Sequence, residues 1–387
     1  MLELIINKNK QGETICLIEN GKLLERYENN QETKNNRLEG NIYAGRVADI
    51  VPGMQAAFID YGDNKKGFIH FKDAIPQIDE KVEKPSMPSD TDIRKVLKPN
   101  SKILIQIKKD CNEKKGAKVS THISLPSKYI VFMPNTSIIT ISQKIEDKTQ
   151  KDRLLNLMKD NLPKGNGAVV RTLAQDVSDK EIIEDIKKIS NKWNDIQSKY
   201  NKTQSGKLIY ECESVAEKIV IDLKLDKIIT NSKKIFENMK NVSDTEVEFS
   251  KEENLLDMYD IEKQIEKSTE RKIWLNCGGF ITIDKTEALT AIDVNTGKFT
   301  GKKDLEATIF KVNKEATIEI AKQLRLRDIG GIIIIDYIDM KNEDNKNAIE
   351  VLLKEELKKD RAKTQVEGFT KLNLMELTRK HICSHIF

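Results

Sequence analysis

Aromatic residues make up only 5% of this chain, prolines number eight in 387 residues, and charge of one sign is scarce: Lys plus Arg exceed Asp plus Glu by 4. The near balance excludes a general polycation, so any nucleic-acid surface must be a local patch. No apolar run approaches the ~20 residues of a membrane-spanning helix, so no membrane span is expected. The start, Met-Leu-Glu-Leu-Ile-Ile-Asn, is acidic early and too brief for a signal peptide. Five scattered cysteines (Cys16, Cys111, Cys212, Cys277 and Cys383) form no Cys-x-x-Cys motif. An odd, dispersed set excludes a disulfide scaffold and points to a reducing, cytoplasmic location. What is abundant is ordinary globular material, 38% hydrophobic and 33% charged. The length exceeds what one core usually serves, so two or more subdomains are expected.

Two apolar runs end in aspartate. Residues 288–294 read Ala-Leu-Thr-Ala-Ile-Asp-Val and continue into Asn295-Thr296-Gly297; residues 330–340 read Gly-Gly-Ile-Ile-Ile-Ile-Asp-Tyr-Ile-Asp-Met. Short β-branched runs bounded by glycine or a turn read as buried sheet strands. A carboxylate leaving such a strand is costly to bury unpaired. Asp293 and Asp336 on neighbouring strands would repel unless a cation lay between them, and hard oxygen ligands of this kind suit Mg²⁺. Asn295, two residues beyond Asp293, points to the same strand face. For either aspartate alone the competing reading is a helix cap or turn; the pair with its flanks favours a metal site.

Along the chain, strands are expected at 2–7 and 13–19. Short alternating runs at 43–51, 55–61, 67–71 and 102–108 then fit an OB-type barrel. The segment 74–100 carries four of the eight prolines and reads as a long loop. Between about 122 and 214, strands at 129–133 and 168–171 alternate with helices. The stripe Ile182, Ile183, Ile186, Ile189, Trp193 and Ile196 has helix spacing and needs only a core-packing explanation. A strand is expected at 217–223 and a helix at 231–240. The last segment alternates: strands at 273–275, 280–283 and 288–294, a helix at 304–325, a strand at 332–335, a helix at 344–359 and a strand at 363–366. The fold class is therefore α+β with several subdomains.

Together with Arg-Leu-Arg-Asp-Ile-Gly-Gly at 325–331, Asp-Arg-Ala-Lys-Thr at 360–364, Met-Glu-Leu-Thr-Arg-Lys at 375–380, Asn-Ile-Tyr-Ala-Gly-Arg-Val at 41–47 and Ala-Ala-Phe-Ile-Asp-Tyr-Gly at 56–62, the aspartate motifs closely resemble the ribonuclease E/G family of bacterial endoribonucleases. The resemblance covers nearly the whole chain. It implies that Asp293 and Asp336 bind catalytic Mg²⁺ with support from Asn295. It implies a ribonuclease-H-like subdomain from 1–37 with 215–277, an OB-type RNA-binding barrel at 38–121, a 5′-phosphate sensor region at 122–214 and a deoxyribonuclease-I-like catalytic subdomain at 278–387. The implied activity is Mg²⁺-dependent hydrolysis of single-stranded, AU-rich RNA in RNA processing and decay. Products would carry a 5′-phosphate and a 3′-hydroxyl, and 5′-monophosphorylated substrates would be favoured.

Phe58 and Phe68 lie in barrel strands near Lys65, Lys66 and Lys72, with Lys108, Lys109, Lys114, Lys115 and Lys118 around the next strand. Aromatic faces in a basic groove grip single strands without reading sequence, each stacked base contributing ~1–3 kcal/mol; the competing reading of a barrel Phe is core. The resemblance assigns RNA contact to Phe58, Phe68 and Lys115. Arg171 and Thr172 leave a strand into a loop, where guanidinium and hydroxyl can hold a terminal phosphate, or where Arg is a plain surface residue. The resemblance places the 5′-monophosphate sensor on Arg171 and Thr172, with a backbone contact at Val131 and a further basic residue at Lys363, where some members carry Arg. Ser127 replaces a glycine found in some members.

Two further motifs fail their tests. Residues 297–303, Gly-Lys-Phe-Thr-Gly-Lys-Lys, lack the spacing and the Ser/Thr of a phosphate-binding loop. His381, Cys383 and His385 lack zinc-finger spacing. The family's Cys-Pro-x-Cys link, in which two protomers share zinc, does not occur before Phe387. The expectation is therefore no stoichiometric zinc and at most a homodimer without that link. Two rival readings stay open: a catalytically weak RNA-binding remnant, and a Mg²⁺-dependent phosphodiesterase on another substrate.

Overall fold

The computed structural model describes residues 1–30, 38–74, 92–111, 115–297 and 305–382. The chain forms two compact units, Met1–Gln31 with Val215–Phe387, and Glu32–Ser214. No helix among the described residues is long and apolar enough to cross a membrane.

The first unit holds two sheets. One has the strand order Val247–Phe249, Lys227–Thr230, Leu2–Lys8, Gly12–Glu19, Lys22–Asn30. Leu4, Ile6, Ile15, Leu17 and Ile228 pack there with Ile219 of the helix Val215–Asp222. That helix replaces the strand expected at 217–223. Ala216, Ile219 and Val220 are its buried residues, spaced three and four apart, so one helical face accounts for them despite the β-branched run.

The other sheet has six strands in the order Lys272–Trp274, Phe280–Lys285, Leu289–Asn295, Gly331–Asp336, Leu374–Arg379, Thr364–Phe369. Only the central pair, Leu289–Asn295 with Gly331–Asp336, is parallel. The helix Leu305–Leu326 lies in the connection between those two strands, as a parallel crossover requires. It packs with the helix Glu343–Lys358 over one sheet face through Ile292, Val294, Ile333, Ile335, Met375, Val312, Ile320 and Leu353. Each such side chain, when fully buried, contributes about 1.5–3 kcal/mol. The opposite face is not covered in the same way: Ile332 is 51% exposed, and Ala291, Asp293 and Asp336 are exposed. The strands expected to be buried are thus buried on one face and open on the other. An unbroken isoleucine run fits either arrangement, and here alternate residues face opposite ways.

Leu374–Arg379 was not among the expected strands. Its buried face ends in Arg379, 2% exposed, which donates from Nε to Asp360 at 2.7 Å and from Nη1 to Asp328 at 2.7 Å and to the Ile329 carbonyl at 2.9 Å. A second network in this unit joins Arg361 to Glu25 at 2.7 Å, Asp222 at 2.8 Å and the Tyr27 hydroxyl at 3.0 Å.

In the second unit, Ile42–Val51, Ala56–Asp60, Gly67–His70, Lys118–Ser120 and Lys102–Lys109 pair in sequence around a ring, which closes because Lys102–Lys109 also pairs with Ile42–Val51. Closure leaves these strands no free edge on the circuit. Ile59, Ile69, Ile105, Val119 and Tyr61 fill the interior. A closed five-stranded barrel is consistent with the expected OB type. A four-stranded sheet follows, Ile139–Ile141, Gly167–Val170, Ile130–Met133 and Leu125–Pro126, beside the helices Lys148–Asn161 and Asp179–Lys202. The second helix opens with a Ser178–Glu181 capping box and buries Ile182, Ile186, Ile189, Trp193 and Ile196, while Ile183 is only half-buried. Most of the loop expected at 74–100 falls on residues 75–91, outside the described residues.

Candidate metal centre and nucleic-acid surfaces

Asp293 and Asp336 are register partners on the two parallel strands. Neighbouring strands lie about 4.8 Å apart, so the carboxylates leave the same exposed face side by side. Asn295 shares that face and donates from Nδ2 to Asp293 Oδ2, which fixes the carboxylate's rotation. Burial raises the pKa of Asp336, and the charges of Asp293 and Asp339 raise it further. The structure thus concentrates negative charge on two adjacent strands, with the in-register Lys272 two strands away from Asp293. That combination of hard oxygens and unrelieved repulsion fits a divalent cation completed by water and substrate oxygens. Among the described residues, no group of three or more His, Cys, Asp or Glu is arranged to hold a metal, so a closed structural zinc cage is not what this site offers.

Phe58 and Phe68 are cross-strand partners on the barrel. Their flanking residues Ala57, Ile59, Gly67 and Ile69 are buried, whereas both rings are half-exposed, so the aromatics point away from the interior. The rings meet edge to face at 5.9 Å. Continuing across the strands, Asp49 is opposite Phe58 and Lys118 is opposite Phe68. Lys66 pairs with Asp49 at 2.6 Å and Lys118 with Asp73 at 3.0 Å, so part of the expected lysine patch is already engaged. Lys115 is exposed; Lys114 lies outside the described residues. Replacing Phe58 with alanine is expected to weaken binding of a single-stranded oligonucleotide by about 1–3 kcal/mol while leaving the thermal transition in place. Loss of that transition, followed by circular dichroism, would show instead that the ring is structural.

Arg171 and Thr172 follow the strand Gly167–Val170 and stand at the start of the 3₁₀ turn Thr172–Ala174. The Arg171 guanidinium donates from Nη1 to the Ser127 carbonyl at 2.8 Å, and its backbone N–H donates to the Tyr129 carbonyl at 2.8 Å. Ser127 is held in turn by a hydrogen bond from its hydroxyl to Asp185, which also accepts the Tyr129 N–H at 2.9 Å. The Thr172 and Ser142 hydroxyls are 2.9 Å apart. Val131 pairs with Val169 on one side and Pro126 on the other. Arg171, Thr172 and Val131 thus belong to one small sheet and its exit loop. Lys363 belongs to the other unit, where it is exposed and its carbonyl accepts the Lys380 N–H at 2.9 Å. Of the set-aside motifs, residues 298–304 and Cys383 and His385 lie outside the described residues.

The profile of the ribonuclease E/G family matches residues 124–382. Ribonuclease G of Salmonella typhimurium is 36% identical over 98% of this chain and 79% of the relative. Ribonuclease G of Haemophilus influenzae is likewise 36% identical over 98% of this chain and 79% of its own. Ribonuclease E of Buchnera aphidicola is 32% identical over 100% of this chain and 41% of the relative. This chain belongs to the ribonuclease E/G family. The matched family region contains the aspartate pair and the Arg171 loop, and the barrel is included in the relatives' longer alignments. Within this family member, the sequence reading missed Asp339, whose charge acts on Asp336 although it stands in the same Asp-Tyr-Ile-Asp motif. It also gave no role to Arg361 and Arg379, which the structure commits to internal ion pairs.

Proposed function

We propose that this endoribonuclease, a hydrolase of phosphodiester bonds, cuts single-stranded RNA in RNA processing at Asp293 and Asp336 and depends on Mg²⁺. The observation that carries the reading is the in-register carboxylate pair with Asn295 on an exposed sheet face. Asp293 and Asp336 would hold the cation, and Asn295 would keep Asp293 turned toward it. A divalent cation held there supplies neutralisation of charge building on the phosphodiester and activation of a water molecule. The outward Phe58–Phe68 pair, with Lys115, would hold bases and backbone of the strand. AU-rich stretches suit such a surface because A–U pairs are weaker than G–C pairs and open more readily.

Arg171 and Thr172 would receive a 5′-terminal phosphate. Arg171 already uses Nη1 on a backbone carbonyl, which aims its planar fork rather than leaving it to sweep through solvent. Charge-assisted contacts to phosphate contribute about 1.5–3 kcal/mol, so a 5′-monophosphorylated, AU-rich oligonucleotide should be cleaved about tenfold or more faster than its 5′-hydroxyl twin at limiting substrate. Arg171→Ala should erase that ratio and spare the hydroxyl substrate. Equal rates on both substrates in the unaltered protein would remove the sensor assignment; failure to cut either would remove the ribonuclease reading itself.

A further inference from the structure

The chain has two tryptophans, and they are placed oppositely. Trp193 is 5% exposed in a core, whereas Trp274 is 57% exposed. Trp274 ends the edge strand Lys272–Trp274, on the same sheet face as the aspartate pair. The register makes this explicit: Lys272, Thr282, Asp293 and Asp336 form one row across four strands, and Trp274, Phe280 and Asn295 form the adjacent row. With about 4.8 Å between strands, the indole is roughly two strand spacings from Asn295. We infer that Trp274 and Phe280 form a stacking shelf for one nucleobase of the RNA beside the phosphodiester held at Asp293 and Asp336. The inference rests on the ribonuclease reading above and adds to it a residue that positions the substrate.

Several features make the shelf a built surface rather than a stray side chain. The Trp274 and Phe280 rings meet edge to face at 5.3 Å. The Lys272 ammonium lies over both rings, 4.1 Å from the centre of Trp274 and 3.6 Å from the centre of Phe280, so a positive charge sits on the aromatic surface itself and a base would stack on the part of the exposed indole that it leaves open. The hairpin behind them is pinned: the Asn276 and Cys277 N–H groups donate to the Glu315 carboxylate on the helix Leu305–Leu326. Gly297 follows closely, with φ +60°; a Cβ there would lie 2.5 Å from the Gly278 carbonyl oxygen, 3.3 Å from Phe280 and 3.5 Å from Trp274. The backbone leaving the metal strand is thereby held against the aromatic pair. Asp284 on this face is neutralised by Arg271 through two hydrogen bonds, so its charge does not oppose a phosphate. A π-face is indifferent to base identity, so the shelf would position a base next to the cut without strict sequence readout.

The two tryptophans also supply the test. In a Trp193→Phe variant, Trp274 is the only tryptophan. Titrating that variant with a single-stranded oligonucleotide in EDTA should quench its emission in step with binding followed by anisotropy of the labelled oligonucleotide. With Mg²⁺, Trp274→Ala should raise KM by roughly five- to a hundredfold with little change in kcat, and Trp274→Phe should recover most of the loss. An abasic nucleotide beside the cleaved bond should cost the unaltered protein a similar factor and cost Trp274→Ala nothing more. Unchanged Trp274 emission while anisotropy reports binding, or an unchanged KM in Trp274→Ala, would overturn the shelf while leaving the ribonuclease reading intact. Emission that shifts with protein concentration but not with RNA would place a second copy of the chain on it and overturn it equally. A protein that neither binds nor cuts RNA would sink both readings.

Discussion

Asp293→Asn and Asp336→Asn are each expected to lower cleavage by about a thousandfold or more while RNA binding persists. The several kcal/mol that a bound cation contributes to phosphoryl transition states, at about 1.36 kcal/mol per factor of ten, set that scale. Asparagine keeps the shape of the side chain and removes the charge that would attract the ion. Stability should move the other way or not at all. Asp336 has its pKa raised by burial and by two neighbouring carboxylates, so above its ordinary titration range the folded state bears the cost of keeping it ionised. Removing either charge relieves repulsion, as is common where a site trades stability for activity. Near-wild-type turnover in both variants, with folding verified by circular dichroism, would rule the pair out as the metal site.

Arg379→Ala is expected to destabilise the unit that contains it by about 3–5 kcal/mol, the range for leaving a buried charge without its partner. Arg379, Asp328 and Asp360 are 2%, 4% and 3% exposed, and two carboxylates would be stranded at once. Lysine should rescue poorly, since it cannot reproduce the fork reaching Asp360, Asp328 and the Ile329 carbonyl together. By contrast, Lys66→Ala, which breaks an ion pair 52% and 59% exposed, should cost no more than about 1 kcal/mol. Denaturant unfolding can separate the units because Trp274 reports the one containing Arg379 and Trp193 the other. A midpoint for Arg379→Ala within error of the unaltered protein would contradict the assignment.

The expected strands near Asp293 and Asp336 are present because short β-branched runs bounded by glycine leave few alternatives. That Asn295 shares a face with Asp293 follows from strand periodicity, and the structure adds the hydrogen bond between them. Which face was open could not be read there: Ile-Ile-Ile-Ile contains no polar residue to mark the exposed side, and only the helices packed against Ile333 and Ile335 decide it. Phe58 posed the same difficulty, since Ala-Ala-Phe-Ile-Asp does not tell inside from outside until the barrel closes on Ala57 and Ile59. The helix Val215–Asp222 was misread because its Ile-Val-Ile run has strand propensity, which the spacing of Ala216, Ile219 and Val220 overrides. Arg379 was given no structural role because its partners lie 51 and 19 residues earlier, beyond any local pattern. Trp274 gave no periodic signal at all in a three-residue strand.

The most direct measurement takes one internally labelled, single-stranded, 5′-monophosphorylated oligonucleotide and identifies the ends of its products with Mg²⁺ and with EDTA. Hydrolysis at Asp293 and Asp336 predicts internal cuts with Mg²⁺ that leave a 5′-phosphate and a 3′-hydroxyl, and intact substrate in EDTA. Cutting that continues in EDTA, or products ending in a 2′,3′-cyclic phosphate, would contradict it.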